Sequence, residues 1–111
     1  REARPAPETE NIPQLVALLE HADLLIACDT GPLHIAAALG RPVIGLYGPK
    51  DPAIYGPIGT RGRLVRAEVD CSPCTRRRCR HLTCMKQIRP EEVFEAAAAI
   101  LRGGGERFLL A

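Results

Sequence analysis

Two short apolar runs, at residues 24–28 and 43–47, place the strongest constraint on how this chain can fold. Neither run alternates apolar with polar residues, which is typical of strands buried on both faces of a parallel sheet. Between the runs, a Gly-Pro pair precedes small helix-forming residues at 33–39, and Gly40 follows as a helix stop signal. The pattern therefore predicts a βαβ unit with a short crossover helix, and with it an α/β fold.

The flanking residues predict further elements of the same domain. Asn11 and Pro13 are typical of a helix start, and apolar residues at helical spacing follow to about His21. A short strand is expected at residues 64–66, and a last helix at residues 90–101 with its apolar side chains on one face. These elements supply the helices that a parallel sheet needs as cover.

Shifts in composition predict the domain organisation. Residues 1–10 are rich in Pro and Glu without periodicity, so a linker or a cut end is expected there. Residues 11–102 form one domain, and residues 103–111 form a tail that begins with three glycines. A long loop at residues 48–62 and a cysteine-rich loop at residues 70–85 lie within the domain, and loops of such length are often functional.

Charge and composition exclude several classes of function. The formal net charge of +2 and the aromatic share of 4% offer neither a strong basic surface nor rings for stacking on bases, so no nucleic acid partner is expected. No apolar run approaches the roughly 20 residues that cross a bilayer. The first residues also lack the apolar core of a signal peptide. The chain is therefore expected to be a cytoplasmic piece of a longer protein.

The turn between the first predicted strand and its helix is the strongest candidate site, because open parallel sheets bind ligands at the carboxyl ends of their strands. With Gly31 as the N-cap and Pro32 as the first helical residue, the N–H groups of Leu33 and His34 would point out of the helix start toward an anion. Thr30 would add a hydroxyl donor. An ordinary N-cap without a ligand uses the same residue types, so the pattern alone leaves both interpretations open.

Two charged residues bear on this site. Asp29 would repel an anion unless its carboxylate is engaged elsewhere, so we expect it to accept hydrogen bonds from backbone amides across the turn or from a ligand hydroxyl. A histidine in the first turn of a helix, such as His34, more often makes a local hydrogen bond than takes part in a reaction. Lys50, in the long loop, is either a solvated lysine or an additional cation for bound phosphates.

Residues 27–49 resemble glycosyltransferase family 9, the ADP-heptose:lipopolysaccharide heptosyltransferases and their relatives. The family pattern is Asp-[Thr/Ser]-Gly-Pro-x-His-x-Ala-Ala-Ala, then Gly-x-Pro, a strand and Gly-Pro-Thr-[Asp/Ser]-Pro. This chain has Asp-Thr-Gly-Pro-Leu-His-Ile-Ala-Ala-Ala, Gly-Arg-Pro and Gly-Pro in that order. The segment at residues 70–74 and the later cysteines extend the resemblance, which runs from about residue 12 to about residue 101. Lys50 is a departure, because the family usually has Thr there.

The resemblance implies a Rossmann-like parallel sheet with flanking helices, forming the C-terminal half of a two-domain GT-B glycosyltransferase. It implies that this half binds a nucleotide sugar, with ADP-heptose as the expected donor, and that transfer is inverting and requires no metal. The acceptor is expected to be a lipopolysaccharide core or a similar glycan. The motif match assigns diphosphate and sugar contacts to six residues: Asp29, Thr30, Gly31, Pro32, Leu33 and His34.

The same resemblance limits what this chain does by itself. The base that activates the acceptor hydroxyl is expected in the N-terminal domain, which is not part of the sequence. No catalytic residue is therefore assigned here, and this fragment alone is expected to be inactive without that partner domain.

Four cysteines lie within a short segment that also contains four arginines. The cysteines are Cys71, Cys74, Cys79 and Cys84. A structural zinc site, one or two disulfides and reduced thiols remain open alternatives, because the Cys-x2-Cys pair suits zinc but the longer spacings are less typical. The arginines would offset the charge of a thiolate–zinc centre, line a solvated face or attract anionic lipid headgroups, which would place the protein at the inner face of the membrane. Cys28 is expected to be a small core residue.

Two other functions compete with the transferase. One is a different GT-B nucleotide-sugar enzyme, such as an epimerase. The other is a small metal-binding or interaction module in which the cysteine-rich loop is the functional part and the βαβ unit is scaffold. Metal content and nucleotide binding would separate these hypotheses.

Overall fold

Three parallel strands form the sheet in the computed structural model, which describes residues 3–57, 61–74 and 78–103. Strand β1 (Leu25–Cys28) pairs with β2 (Val43–Leu46), and β3 (Gly62–Val65) pairs with the other side of β2. The sheet order is thus β1-β2-β3. Both apolar runs are confirmed as strands, and the third strand exists but begins before the predicted residues 64–66.

The crossover between the first two strands is helix α2 (Gly31–Ala38). Gly40 follows it with φ of +77°, a backbone conformation that residues other than glycine rarely adopt. The Gly40 N–H donates to the carbonyl of Ala37, and the Arg41 N–H donates to that of Ala36, each at 3.0 Å. This is the Schellman arrangement, so the predicted stop signal is confirmed with its mechanism.

The first and last helices also begin and end at the predicted signals. Helix α1 (Ile12–Glu20) starts where the Asn11 side chain accepts a hydrogen bond from the Gln14 N–H at 2.9 Å. Helix α5 (Pro90–Leu101) has Arg102 as its C-cap, and Gly103 follows with a φ of +85°. Both helices place a proline in the first turn, where its missing N–H leaves no hydrogen bond unmade.

Two apolar clusters cover the two faces of the sheet. Val43 and Ile44 are adjacent in β2 and fully buried, and their side chains point to opposite faces. Val43 packs with residues of α1 and α2, whereas Ile44 packs with Ala96 of α5. The α/β prediction is confirmed as a three-stranded parallel sheet with helices on both faces.

Strand β1 differs from the prediction of a strand buried on both faces. Leu25 and Ala27 pack against the α1–α2 side, but Ile26 is 45% exposed and Cys28 is exposed. The reason is that α5 packs over β2 and β3. The prediction that Cys28 is a core residue is therefore wrong.

Two short helices lie in segments that were expected to be loops. Helix α3 (Pro52–Tyr55) starts where the Asp51 carboxylate accepts a hydrogen bond from the Ala53 N–H at 2.9 Å. Helix α4 (Thr83–Lys86) forms in the cysteine-rich loop. In the part of the chain that the structure describes, no helix is both long enough and apolar enough to span a membrane. Parts of the predicted loops, at residues 58–60 and 75–77, and most of the predicted tail, at residues 104–111, lie outside the described residues.

Candidate anion-binding site

The carboxyl ends of β1 and β2 place the candidate site. Cys28 is opposite Leu46 in the parallel register, so the residues that follow the two strands leave the sheet side by side. Asp29 follows β1 and Tyr47 follows β2. The predicted turn thus lies at the edge of the sheet where open α/β folds bind ligands.

The helix start lies one residue earlier than predicted. Thr30 is the N-cap, with extended backbone angles of φ −138° and ψ 166°, and Gly31 is the first helical residue. The Leu33 N–H donates to the Thr30 carbonyl at 3.2 Å, and the Leu33 side chain is fully buried in the core. The prediction that Gly31 caps the helix and that the Leu33 N–H faces an anion is therefore wrong. The first backbone donor of α2 belongs to Gly31, because Pro32 carries no N–H.

The start of α2 is nevertheless open toward solvent. Thr30 makes no side-chain capping hydrogen bond; its hydroxyl instead donates to the Cys28 carbonyl at 3.2 Å. Gly31 is exposed, and a Cβ built on it would have nothing within 4 Å. An incoming anion would therefore meet a backbone donor and the positive end of the helix dipole with no side chain between them.

The Asp29 carboxylate accepts hydrogen bonds from three side chains of this corner. His34 Nε2 lies 2.9 Å from Oδ1, and Lys50 Nζ lies 3.4 Å from Oδ2. The Tyr47 hydroxyl donates to Oδ1 at 3.4 Å. Asp29 thus accepts hydrogen bonds from side chains and not, as expected, from backbone amides across the turn. Since an ionised carboxylate only accepts, His34 carries its proton on Nε2 in this pair. We refer to Asp29, Thr30, Gly31, His34, Tyr47 and Lys50 as the Asp29 corner.

The electrostatics of the corner favour an ionised Asp29. Burial by itself raises the pKa of this carboxyl, but the hydrogen bonds and positive charge of His34 and Lys50 outweigh burial, and the pKa lies below its ordinary value. Burial, together with the charge of Asp29, raises the pKa of Tyr47 to about 12. Tyr47 is therefore a neutral donor to a charged acceptor across the physiological range.

Two basic side chains of the corner keep contact with solvent. The His34 side chain is 43% exposed and that of Lys50 is 53% exposed, whereas that of Asp29 is 16% exposed. The interpretation of Lys50 as a purely solvated lysine is not supported, because its ammonium group pairs with Asp29. The two basic groups are therefore more accessible to a ligand than the carboxylate with which they pair.

Tyr47 is the residue of this site that sequence reasoning missed. It was assigned only as the last residue of an apolar run, and its side chain is 1% exposed. A signal was present, since a buried tyrosine hydroxyl needs a hydrogen-bond partner. The register of parallel strands then identifies Asp29 as the partner within reach.

The four clustered cysteines lie together but do not form a preassembled metal site. Cys84 is buried, Cys74 and Cys79 are half-buried, and Cys71 is exposed; no disulfide joins them. Among the described residues, no three His, Cys, Asp or Glu side chains come close enough to hold a metal ion. Of the four arginines, Arg78 and Arg80 are exposed; Arg76 and Arg77 lie outside the described residues.

A groove of about 830 Å³ lies apart from the Asp29 corner, between the end of β3 and the start of α5. Its lining mixes both signs of charge, with Arg63, Arg66 and Arg89 beside Glu68 and Glu92 among others. Such a mixture provides no uniform positive field for a diphosphate. The open helix start with its two basic neighbours is therefore the stronger candidate for binding an anion.

Sequence comparison shows the class of protein to which this chain belongs. The family described as glycosyltransferase family 9 (heptosyltransferase) matches residues 5–85, which include the Asp29 corner and the four clustered cysteines. The chain belongs to glycosyltransferase family 9. The match ends before α5, so the predicted extent of the resemblance, to about residue 101, is longer than the family match.

Three bacterial proteins illustrate the similarity. Lipooligosaccharide heptosyltransferase 2 of Campylobacter jejuni is 32% identical over 83 residues, which are 72% of this chain and 26% of that protein. Lipopolysaccharide heptosyltransferase 2 of Escherichia coli K12 is 38% identical over 61 residues, or 55% of this chain and 17% of the relative. Lipopolysaccharide heptosyltransferase 1 of Pseudomonas aeruginosa is 34% identical over 65 residues, or 59% and 18%.

The chain therefore spans at most about a quarter of the length of these relatives, with the largest share at 26%. No solved structure matches it significantly.

Proposed function

We propose that this chain is the nucleotide-sugar-binding part of a glycosyltransferase that acts in lipopolysaccharide core biosynthesis, with ADP-heptose as donor. The observation that carries the proposal is the Asp29 corner: an uncapped helix start with Lys50 and His34 beside it, inside the segment that matches family 9. The names of the relatives, all heptosyltransferases, support the sugar and the pathway.

In the proposed mechanism, the corner binds the donor diphosphate and stabilises it as the leaving group. Negative charge grows on the departing phosphate as the glycosidic bond breaks, and the Gly31 N–H, the helix dipole and the Lys50 ammonium are placed to interact with that charge. His34 donates its Nε2–H to Asp29, so it adds a donor for the phosphate only as the doubly protonated ring, through Nδ1. These donors strengthen their interaction in the transition state, so they act on rate as well as on binding.

Asp29 has a positioning role in this mechanism. Its carboxylate holds His34 and Lys50 at 2.9 Å and 3.4 Å, so both groups are partly ordered before a ligand arrives. Ordering in advance lowers the entropic cost of binding. An ionised Asp29 would repel phosphate if it were alone, but its charge is balanced by its partners. We therefore expect the diphosphate to contact the basic groups and the backbone rather than the carboxylate.

The rest of the proposed enzyme lies in other parts of the protein. We propose a GT-B arrangement in which this Rossmann-like half faces a second half that supplies the base for the acceptor hydroxyl. Inverting transfer without a metal ion fits a site whose cations are side chains. The acceptor is a lipopolysaccharide core, which would bring the enzyme to the cytoplasmic face of the membrane.

Calorimetric titration of the full chain with ADP, and with UDP and GDP for comparison, tests the proposal. ADP should bind, and Lys50→Ala should weaken it by roughly tenfold or more, since a hydrogen bond to a charged group contributes about 1.5–3 kcal/mol. Lys86→Ala is the matched control, because Lys86 is the other lysine of the sequence and lies in α4. The proposal would be refuted if the chain is folded and binds none of the three nucleotides.

A further inference from the structure

Four thiols and an imidazole line one cavity that is not part of the Asp29 corner. The cavity measures about 340 Å³ and is lined by Pro49, Cys71, Cys74, Cys79, His81, Leu82 and Cys84. We refer to it as the cysteine cavity. The cysteines come from residues 71–74 and 79–84, and both parts of the segment line this cavity.

The segment around this cavity has little apolar packing to hold it. Among the described residues from 66 to 89, Cys84 is the only buried one. Hydrogen bonds connect the beginning of the segment to its surroundings. Ser72 Oγ donates to the Gly48 carbonyl at 2.6 Å, Arg66 donates to Ser72 Oγ at 3.0 Å, and the Cys74 N–H donates to the Pro49 carbonyl. Small folding units with so little apolar burial are commonly stabilised by a metal or a cross-link, and the same physical reason applies to this segment.

The ligand chemistry of the cavity favours a thiophilic divalent cation. Thiolates are the ligands that zinc prefers in closed structural sites, and the Cys-x2-Cys spacing of Cys71 and Cys74 is typical of them. Four thiolates around Zn²⁺ carry a net charge of −2, and the exposed Arg78 and Arg80 lie in the same segment to offset it.

His81 is a poorer ligand than the cysteines. Its Nδ1 accepts from the Thr83 N–H at 3.3 Å, and the Thr83 hydroxyl donates to the same nitrogen at 2.8 Å. The imidazole thus supports the start of α4, and the four cysteines remain as the ligand set.

We propose that the cysteine cavity is a structural zinc site with Cys71, Cys74, Cys79 and Cys84 as ligands. The side chains as they stand do not converge on one point, so metal binding draws the thiols inward and closes the segment around the ion. The proposal goes beyond the transferase function and does not depend on it. Its structural consequence is local: the segment packs on Gly48 and Pro49, immediately before Lys50, so zinc would also fix the loop that carries this lysine.

Metal analysis of the full chain, purified without added metal or chelator, tests the proposal. We expect about one zinc per chain, and less than about 0.1 in Cys84→Ser and in Cys71→Ser, because each removes one of the four ligands. Cys28→Ser is the matched control, since Cys28 is exposed at the end of β1, outside the cavity. His81→Ala should keep its zinc.

A second measurement holds even if the serine variants fail to fold. Chelation of zinc from the wild-type chain should lower its midpoint of thermal unfolding, and added Zn²⁺ should restore it. Substitution by Co²⁺ should give the charge-transfer absorption of thiolate ligands. A folded wild-type chain without metal and insensitive to chelator would overturn the proposal, as would disulfides among these cysteines found by mass spectrometry. Zinc retained by both Cys71→Ser and Cys84→Ser, or lost from Cys28→Ser, would overturn the ligand set.

Discussion

The Asp29 corner and the cysteine cavity are both built from polar groups, but they are held in place in different ways. Behind the corner lies the apolar cluster of Leu19, Leu33 and Val43, and its cap residues connect directly to β1 and α2. Among its described residues, the segment of the cysteine cavity has one that is buried, Cys84, and the segment makes hydrogen bonds to its surroundings. Apolar packing therefore holds the Asp29 corner in place, whereas hydrogen bonds hold the segment of the cysteine cavity.

This difference bears on what each region is suited to do. A site that stabilises charge in a transition state must be ordered in advance, and a packed core behind a turn provides that order. A segment that lacks such packing gains its order from whatever joins its side chains. The two regions meet at the loop of Gly48, Pro49 and Lys50, because the cavity packs on its first two residues and the corner contains its third.

The largest expected effect compares one leucine from each region. Leu33→Ala should lower the free energy of unfolding by about 2–5 kcal/mol, because Leu33 is fully buried behind the turn. Leu82→Ala, at a side chain that is 44% exposed and lines the cavity, should cost less than about 1 kcal/mol. Denaturant unfolding of both variants measures the difference. Equal losses would mean that the segment has a core of its own.

Local signals in the sequence were sufficient to predict the three strands and the helices α1, α2 and α5, but not α3 and α4. Gly40, Asn11 and the first-turn prolines act through contacts within a few residues, so helix bounds could be predicted from them. The predicted N-cap of α2 differs from the observed one by one residue. The reason is that a Gly-Pro pair fits either the N-cap and the first helical position or the first two helical positions.

Exposure and side-chain pairing depend on contacts that no local pattern contains. Cys28 looks like a core residue in its apolar run, but its exposure depends on how far α5 reaches across the sheet. Tyr47 and Lys50 meet Asp29 across two neighbouring strand ends, 18 and 21 residues apart in the sequence. The register of the parallel strands predicts the contact between Tyr47 and Asp29. The contact between Lys50 and Asp29 depends on the conformation of the loop.

The second prediction tests whether the corner is open for a ligand. Gly31→Val places a branched side chain where a built Cβ finds nothing within 4 Å, so folding should be nearly unaffected. Affinity for ADP should fall by roughly tenfold or more, about 1.4 kcal/mol, because the side chain occupies the approach to the helix start. Gly31→Ala should be intermediate. Unchanged affinity in Gly31→Val, measured by calorimetry, would place the anion elsewhere.

The third prediction concerns the contact between the two regions. A Cβ on Gly48 would clash with Met85 Sδ and lie 3.1 Å from Cys84 Sγ. Gly48→Ala should therefore cost about 1–2 kcal/mol, the lower part of the range for overpacking, since the end of the Met85 side chain can move. The reactivity of the Cys84 thiol toward an alkylating reagent should rise as α4 shifts. Gly31→Ala serves as the stability control, and equal stability of the two variants would show that α4 is not packed on Gly48.

The smallest expected effect concerns the charge of Asp29. Because the folded-state pKa of Asp29 is lowered, its contribution to stability is present above its ordinary pKa of 3.8 and is lost as the pH falls through the folded-state value. Asp29→Asn should cost less than about 1 kcal/mol at neutral pH, since both basic partners are partly exposed to solvent. The difference between the two proteins, followed by thermal or denaturant unfolding, should shrink on acidification. If the difference in stability instead stays constant to pH values well below the ordinary pKa, the loss in Asp29→Asn comes from packing around Tyr47 rather than from ionic contact. The Asp29 corner would then resemble the apolar core more than a charged site.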